Sequence, residues 1–226
     1  MQTYNRRATT RLRAVCSVFL VGVLFTPSSS AQQTIRRVVT KCWQDIERLD
    51  TGGGYEPDVA LGKDGISLRL DPKLAKVSVQ RGARTIFTFA VDDLSSNAEV
   101  LWSSNGRAFA LNYSDGGAIG GFHVRLFLIN GDRMIDASGA IQSPVNDFKS
   151  RHFCKSRGNN VMALKWLPDS SDLVLMTEVY PTGDCGSDLG YAEGYIVTVP
   201  DGKIKRHLML NQLKNLPGIC LQNEEQ

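Results

Sequence analysis

Hydrophobic and polar residues alternate along most of the chain after residue 60, in short runs separated by turn residues. The runs fall into three sets: 66–70, 76–80 and 85–91; then 99–103, 107–114, 123–130 and 133–136; then 162–167, 172–180, 194–199 and 203–207. Asn105-Gly106 and Asp201-Gly202 stand between consecutive runs, and such dipeptides are typical of tight hairpins. Period-two alternation with these turns predicts antiparallel strands and an all-β domain.

Short segments at both ends and in one insert depart from this alternation. Residues 40–50 show helical spacing of apolar side chains, and residues 208–216 predict a short helix before Pro217-Gly218. Residues 147–153, inside an insert between the second and third sets, fit one helical turn. We therefore expect short terminal helices around the strands.

The second and third sets repeat one pattern. In each, a strand ends in tryptophan (Trp102, Trp166), a polar turn follows, and an apolar strand returns. The repeat resembles the Trp-Ser-Pro-Asp-Gly-Arg hairpin of WD40-like β-propellers, in particular the bacterial periplasmic TolB type. The first copy has Ser104 in place of proline and Asn105 in place of aspartate, and the second copy lacks the glycine.

The resemblance implies four-stranded units, with both tryptophans buried between neighbouring sheets. Propellers usually contain four to eight blades, whereas three repeats are legible here, at about 60–92, 97–138 and 159–208. We therefore expect one domain over residues 32–226, built as a partial or irregular β-propeller-like stack.

The N-terminus has the three-part layout of a signal peptide. Four arginines and no acid precede an apolar run from Ala14 to Phe25, and Ser29 and Ala31 place small residues where a signal peptidase reads. The run has 12 residues, too few for the roughly 20 that span a bilayer. We therefore expect residues 1–31 to be removed, no stable membrane span afterwards, and a periplasmic or secreted protein.

Removal of these residues changes the charge of the chain. The whole sequence has 26 Lys and Arg against 23 Asp and Glu, and residues 1–31 hold four Arg and no acid, so 22 basic and 23 acidic residues remain and the net charge becomes −1. No basic block remains to bind a phosphate backbone, and we expect no nucleic acid partner.

Enlarged connections offer the candidate binding surface. They lie between the second and third strands of the two clear repeats, at 114–121 and 181–191, and both are rich in glycine. Loops at equivalent positions of stacked repeats emerge on one face. Acidic and aromatic residues in or beside them are the candidate ligand-binding residues: Asp115, Tyr113, Phe122, Asp184, Asp188 and Tyr191.

The sequence contains none of the common catalytic, metal-binding or nucleotide-binding motifs. The histidines at 123, 152 and 207 lack metal-ligand spacing, and the chain contains no nucleophile elbow, P-loop or dinucleotide fingerprint. We therefore predict no catalytic residue, metal or cofactor. Asn112-Tyr113-Ser114 matches a glycosylation acceptor, and its place within a predicted strand argues against its use.

Two functions of different class fit these features. The first is a non-enzymatic binding module whose partner is a protein or another ligand of the bacterial cell envelope. The alternative is an exported hydrolase whose acids gather on the enlarged-loop face: Asp115, Asp184, Glu178 and Glu193. Hydrolysis by paired acids needs two carboxylates about 5–10 Å apart.

Cleavage is expected after Ala31, leaving Gln32 as the new N-terminus, because small residues occupy the two positions that the peptidase reads. Intact-mass analysis of the exported protein measures this directly. An unprocessed chain would contradict the prediction.

Disulfides are expected to join Cys154 to Cys185 and Cys42 to Cys220. Four cysteines remain after cleavage, an even number in an oxidising compartment. The first pair lies at one end of the third repeat, and the second would tie down both termini. Non-reducing peptide mapping tests the pairing, and a peptide joining Cys42 to Cys154 would refute it.

Overall fold

The computed structural model describes residues 37–38, 46–50, 58–71, 74–91, 97–114, 121–152, 158–168, 171–180, 183–219 and 221–222, with side chains from Leu61 onward except at 97 and 222. The chain divides into two units, Met1–Ala31 and Gln32–Gln226. The first unit, which holds the predicted signal peptide, lies outside the described residues. None of the described helices is long and apolar enough to cross a membrane.

Strands dominate the described residues. They are β1 (Arg37–Val38), β2 (Ile46–Asp50), β3 (Asp58–Leu61), β4 (Ile66–Asp71), β5 (Lys76–Arg81), β6 (Arg84–Ala90), β7 (Asn97–Trp102), β8 (Ala108–Ser114), β9 (Phe122–Asn130), β10 (Arg133–Asp136), β11 (Asn159–Trp166), β12 (Asp172–Val179), β13 (Ala192–Thr198), β14 (Ile204–Met209) and β15 (Leu221–Gln222). The α-helices are α1 (Gln142–Arg151) and α2 (Leu210–Lys214), with short 3₁₀ helices at Ser138–Ile141 and Gly186–Asp188.

Every strand pair among the described residues is antiparallel, and most of the strands form three sheets. Sheet 1 has the order β3-β4-β5-β6, sheet 2 has β2-β7-β8-β9-β10, and sheet 3 has β11-β12-β13-β14. β1 pairs separately with β15. The prediction of a mainly antiparallel β fold is therefore confirmed.

The expected N-terminal helix is wrong where the structure describes it. Residues 46–50 form β2, which lies beside β7 with Ile46 opposite Leu101 and Asp50 opposite Asn97. This pairing satisfies the backbone groups of the free edge of β7, and tertiary pairing of this kind overrides a weak local helical preference. At the other end α2 is shorter than predicted, because β14 continues to Met209.

The apolar faces stack sheet 1 on sheet 2 and sheet 2 on sheet 3. Leu68, Val79 and Phe109 lie in the first core, and Leu126 and Leu175 lie in the second. A third core covers the outer face of sheet 3, and Leu213 of α2 packs into it. A Cβ atom on Gly194 would lie 2.7 Å from Cδ1 of Leu213, so glycine at this position lets α2 approach the sheet.

Trp102 and Trp166 occupy equivalent positions, as the repeat predicts. Each is the last residue of the first strand of its repeat, and they are 9% and 7% exposed, respectively. Each lies in the core shared with the preceding sheet. In sheet 1 the corresponding residue is Leu61, which is 66% exposed. It lies opposite Ser67, on the face that points away from sheet 2.

Side chains of sheet 2 satisfy the free edge of β11. Nδ2 of Asn112 donates to the Ala163 carbonyl and the Ala163 N–H donates to Oδ1 of Asn112, both at 2.8 Å. Further along β11, the indole N–H of Trp166 donates to the Leu101 carbonyl at 3.0 Å. The Asn112 amide thus replaces a peptide group of a neighbouring strand, so the buried edge loses no hydrogen bond here.

Replacing Trp166 with phenylalanine is expected to cost more stability than the same replacement of Trp102, although the two sites are otherwise similar. Both changes shrink a buried ring equally, but Trp166→Phe also removes the hydrogen bond from the indole N–H to the Leu101 carbonyl, at an added cost of about 0.5–1.5 kcal/mol. Nε1 of Trp102 has no hydrogen-bond partner among the described residues. Urea unfolding measures the difference, and Trp→Ala at either site is expected to cost about 3–5 kcal/mol. Equal costs for the two phenylalanine variants would contradict the assignment.

Candidate functional site

The enlarged connections of sheets 2 and 3 leave the stack at the same end, here called the loop end. The backbone N–H of Phe122, at the start of β9, donates to Oδ1 of Asn160 at 3.0 Å. Asn160 lies near the start of β11, opposite Glu178 near the end of β12. The connections β8–β9 and β12–β13 therefore begin or end beside this contact.

The six predicted ligand-binding residues do not form one site. Asp115 lies outside the described residues, and Asp184 is exposed. Tyr113 packs against the core between sheets 1 and 2, whereas Phe122 packs against the core on the outer face of sheet 3. Asp188 and Tyr191 do come together, on either side of His152.

The most concentrated set of polar side chains surrounds Glu193 on the inner face of sheet 3. The carboxylate is only 2% exposed. Its Oε2 lies 2.8 Å from Nη2 of Arg151 and 2.9 Å from Nε2 of His207. Its Oε1 lies 3.3 Å from Nε2 of His152, and the Tyr191 hydroxyl donates to it at 3.2 Å. We call these five residues, with Asp147 and Tyr195, the Glu193 cluster.

Helix α1 supplies one side of the cluster. Asp147 and Arg151 are four residues apart on one face, with Nη2 of Arg151 2.7 Å from Oδ2 of Asp147. Phe148 lies in the core between sheets 2 and 3, and its ring centroid is 4.9 Å from that of His152. The apolar face thus anchors the helix, and its charged face meets the buried carboxylate.

Tyr195 completes the cluster from β13, two residues beyond Glu193 and on the same face of the sheet. Its hydroxyl accepts from Nη2 of Arg151 at 2.6 Å and lies 3.0 Å from Oδ2 of Asp147 and 3.2 Å from Oε2 of Glu193. The single hydroxyl proton is donated to one of these carboxylates at a time.

Burial sets the protonation of the phenols. Burial, the hydrogen bond to Asp147 and the charge of Glu193 together raise the pKa of Tyr195 far above its ordinary value. Burial and then the charge of Glu193 raise the pKa of Tyr191. Burial acts to lower the pKa of Arg151, but its interactions with Tyr195, Glu193 and Asp147 outweigh this and raise it. Both tyrosines are therefore neutral donors and Arg151 a permanent cation.

The β12–β13 connection closes over the cluster. Tyr191 stacks on His152 with ring centroids 4.0 Å apart, and Oδ2 of Asp188 lies 3.6 Å from Nδ1 of His152. Cys185 lies in the same connection. Cys42, Cys154 and Cys220 lie outside the described residues, so both disulfide pairings stay predictions.

The geometry of the cluster favours a structural role. Both oxygens of Glu193 already contact several donors, which makes the carboxylate a poor general base or nucleophile. Among the described residues, no group of three or more His, Cys, Asp or Glu side chains is arranged to hold a metal ion. What the cluster does is fix α1 and the β12–β13 connection to sheet 3.

Glu178 is a second buried acid, on the opposite face of the same sheet. It lies opposite Ala192 on β13, whereas Glu193 lies opposite Thr177, so the two carboxylates project to opposite faces. The side chain of Asn160 donates to Oε2 of Glu178 at 2.8 Å. Oε1 is buried without a hydrogen-bond partner among the described residues. Burial raises the pKa of Glu178 to about 7, although the Asn160 hydrogen bond acts to lower it.

The sequence analysis missed most of the Glu193 cluster. Arg151, His152 and His207 lie on separate segments, and only the fold brings them together. One signal was available: Glu178 and Glu193 interrupt strands that are otherwise apolar. An acid at such a position is rarely fully buried unless it is paired.

The opposite, tight-turn end of sheets 1 and 2 carries a groove of about 460 Å³. Arg81, Arg107 and Asp64 line it above Ile66 and Ile129. Nη2 of Arg81 donates to the Gly131 carbonyl at 2.9 Å. The groove is therefore polar at its rim and lies away from both enlarged connections.

No known protein family matches this chain, and no curated protein matches it in sequence. The resemblance to WD40-like repeats accordingly rests on the two tryptophan hairpins. What the chain does must be inferred from its geometry.

Stability is expected to fall as pH rises from about 4.5 to 8, through Glu178. Its pKa is raised in the folded protein, so the folded state holds a proton that the unfolded chain has released. The free energy of unfolding has its full contribution from Glu178 below pH 4.5. It decreases by about 3 kcal/mol as pH rises through the pKa of about 7 in the folded protein and then levels off.

Glu178→Gln tests this expectation, because glutamine keeps an oxygen that accepts from Asn160 and cannot ionise. Urea unfolding of the variant should lack this pH dependence and should show greater stability than wild type at pH 8. Asp64→Asn, which removes an exposed carboxylate, serves as the matched control. A Glu178→Gln protein less stable than wild type at pH 8 would contradict the prediction.

Proposed function

We propose that this chain is an exported, non-enzymatic binding module of the cell envelope, and that the loop end contacts its partner. The observation that carries this proposal is the anchoring of the β12–β13 connection. The Glu193 cluster and the Phe122–Asn160–Glu178 contacts place buried polar groups directly beneath the loop end. Rigid scaffolds that present surface connections are typical of recognition sites.

The composition of the connections suggests the chemistry of the partner. Residues 114–121 and 181–191 contain three aspartates and no lysine or arginine, and a tyrosine, Tyr113 or Tyr180, directly precedes each. Asp184 is exposed, and the side chain of Asp188 is 34% exposed. Acidic and aromatic groups together suit a protein surface that carries Lys and Arg. We therefore propose a basic protein partner, such as an envelope protein with an exposed cationic patch.

The finer architecture belongs to the same proposal. Three antiparallel sheets, two of which carry a tryptophan at equivalent positions, support an irregular propeller-like stack. The periplasmic or secreted location follows from the predicted signal peptide. The hydrolase alternative has less support, because Glu178 and Glu193 project from opposite faces of sheet 3 and do not form an acid pair.

Charge reversal at the two ends of sheet 3 tests the proposal. The purified protein is immobilised, exposed to envelope extract, and its retained proteins are compared with those of two variants. Asp184→Lys reverses a charge in the β12–β13 connection, and Asp201→Lys makes the same change at the exposed turn after β13, at the opposite end. We expect a partner retained by wild type and Asp201→Lys and lost by Asp184→Lys.

The contrary outcomes are distinct. Loss with Asp201→Lys alone would place binding at the tight-turn end, and equal retention by both variants would remove the loop end from the interface. Turnover of an envelope glycan or peptide by the wild-type protein would overturn the non-enzymatic assignment.

A further inference from the structure

Glu178 begins a chain of hydrogen bonds that crosses from sheet 3 to sheet 2. The carboxyl is 3% exposed and accepts from Nδ2 of Asn160 at 2.8 Å. Oδ1 of Asn160 in turn accepts from the backbone N–H of Phe122 at 3.0 Å. Phe122 is the first residue of β9, directly after the β8–β9 connection. One titratable group is therefore linked through a single amide to the base of an enlarged connection.

Apolar and neutral groups surround this carboxyl. β11 presents Asn160 and Met162 beside it, β13 presents Ala192, and β9 presents Phe122. Charged residues of the outer face lie further along the sheet: the Lys165 ammonium donates to the Pro217 carbonyl, and Arg206 lies opposite Ile196 on β14. On α2, Lys214 is in the last turn. Burial and Asn160 are the two influences on the pKa of Glu178, and no opposite charge among the described side chains compensates its ionisation.

An ionised Glu178 cannot stay in this environment without a large desolvation cost. Phe122 packs against the outer core of sheet 3, on the face that holds this carboxyl, so withdrawal of the start of β9 at the loop end opens a route for water to the carboxylate. Asn160 binds a carboxylate more strongly than a neutral carboxyl. It would follow the charged group and release the Phe122 N–H.

We infer that Glu178, Asn160 and Phe122 form a pH-sensitive latch: the neutral carboxyl holds the start of β9 against sheet 3, and ionisation releases it. The latch closes in mildly acidic surroundings and opens toward alkaline pH. It concerns the joint between the two sheets and does not depend on what the loop end binds.

Amide hydrogen exchange of Phe122 measures the latch directly. Protection factors, corrected for the intrinsic exchange rate, are compared at pH 5.5 and pH 8.0 in the purified protein. If Glu178 regains its ordinary pKa in the open state, the opening equilibrium increases about 25-fold over this interval. The Phe122 amide should lose protection by that factor, while the amide of Leu126, in the centre of β9, changes much less.

Three variants distinguish a latch from a buried acid that acts alone. Glu178→Gln should keep Phe122 protected at both pH values, and Asp184→Asn, a matched change at the loop end, should retain the wild-type response. Asn160→Ser should leave Phe122 poorly protected at both pH values while overall stability still depends on pH. This last variant keeps the test decisive even if Glu178→Gln folds poorly. Protection of Phe122 that is independent of pH in the wild type, or pH-dependent in Glu178→Gln, would overturn the proposal.

Discussion

The buried edge of β11 is the constraint on which the rest of the structure depends. β11 ends sheet 3, yet it lies against the face of sheet 2, where no water can satisfy its backbone. Asn112 resolves this by offering a carboxamide that donates to and accepts from Ala163. Because the amide has fixed geometry, it also sets the register between the two sheets. The contact of Trp166 with the Leu101 carbonyl and that of Asn160 with Phe122 follow from that register.

The two buried acids of sheet 3 show opposite solutions to one physical problem. Glu193 is surrounded by a permanent cation, two histidines and two phenols, so its desolvation is offset by nearby donors. Among the described side chains Glu178 has a single amide partner and no cation, so burial favours its neutral form. The first arrangement fixes α1 and the β12–β13 connection to sheet 3. The second makes the joint between sheets 2 and 3 depend on a proton.

Local patterns in the sequence were sufficient to predict β4 to β14 and the equivalence of the tryptophans. Alternation and Asn-Gly or Asp-Gly turns are local, and Trp102 and Trp166 occur at the same place in two repeats. The roles of Asn112 and Glu178 were not predictable in this way. Asn112 matched a glycosylation acceptor whose place in a predicted strand argued against its use, and Glu178 was grouped with the candidate acids of the enlarged-loop face. Both roles depend on residues from another strand or sheet, and a single sequence does not reveal those contacts.

The two outer faces of the stack differ: that of sheet 1 carries exposed side chains, whereas that of sheet 3 is covered by a helix. Each tryptophan packs onto the preceding sheet, so a sheet that carries a tryptophan at this position needs another sheet in front of it. Sheet 1 has none among the described residues, and Leu61 at the equivalent position is exposed beside the polar side chains of Ser67 and Arg69. Sheet 3 instead buries its outer face under α2, which the absence of a side chain at Gly194 permits. A further sheet could therefore be added in front of sheet 1 at little cost, whereas addition behind sheet 3 would first require α2 to leave.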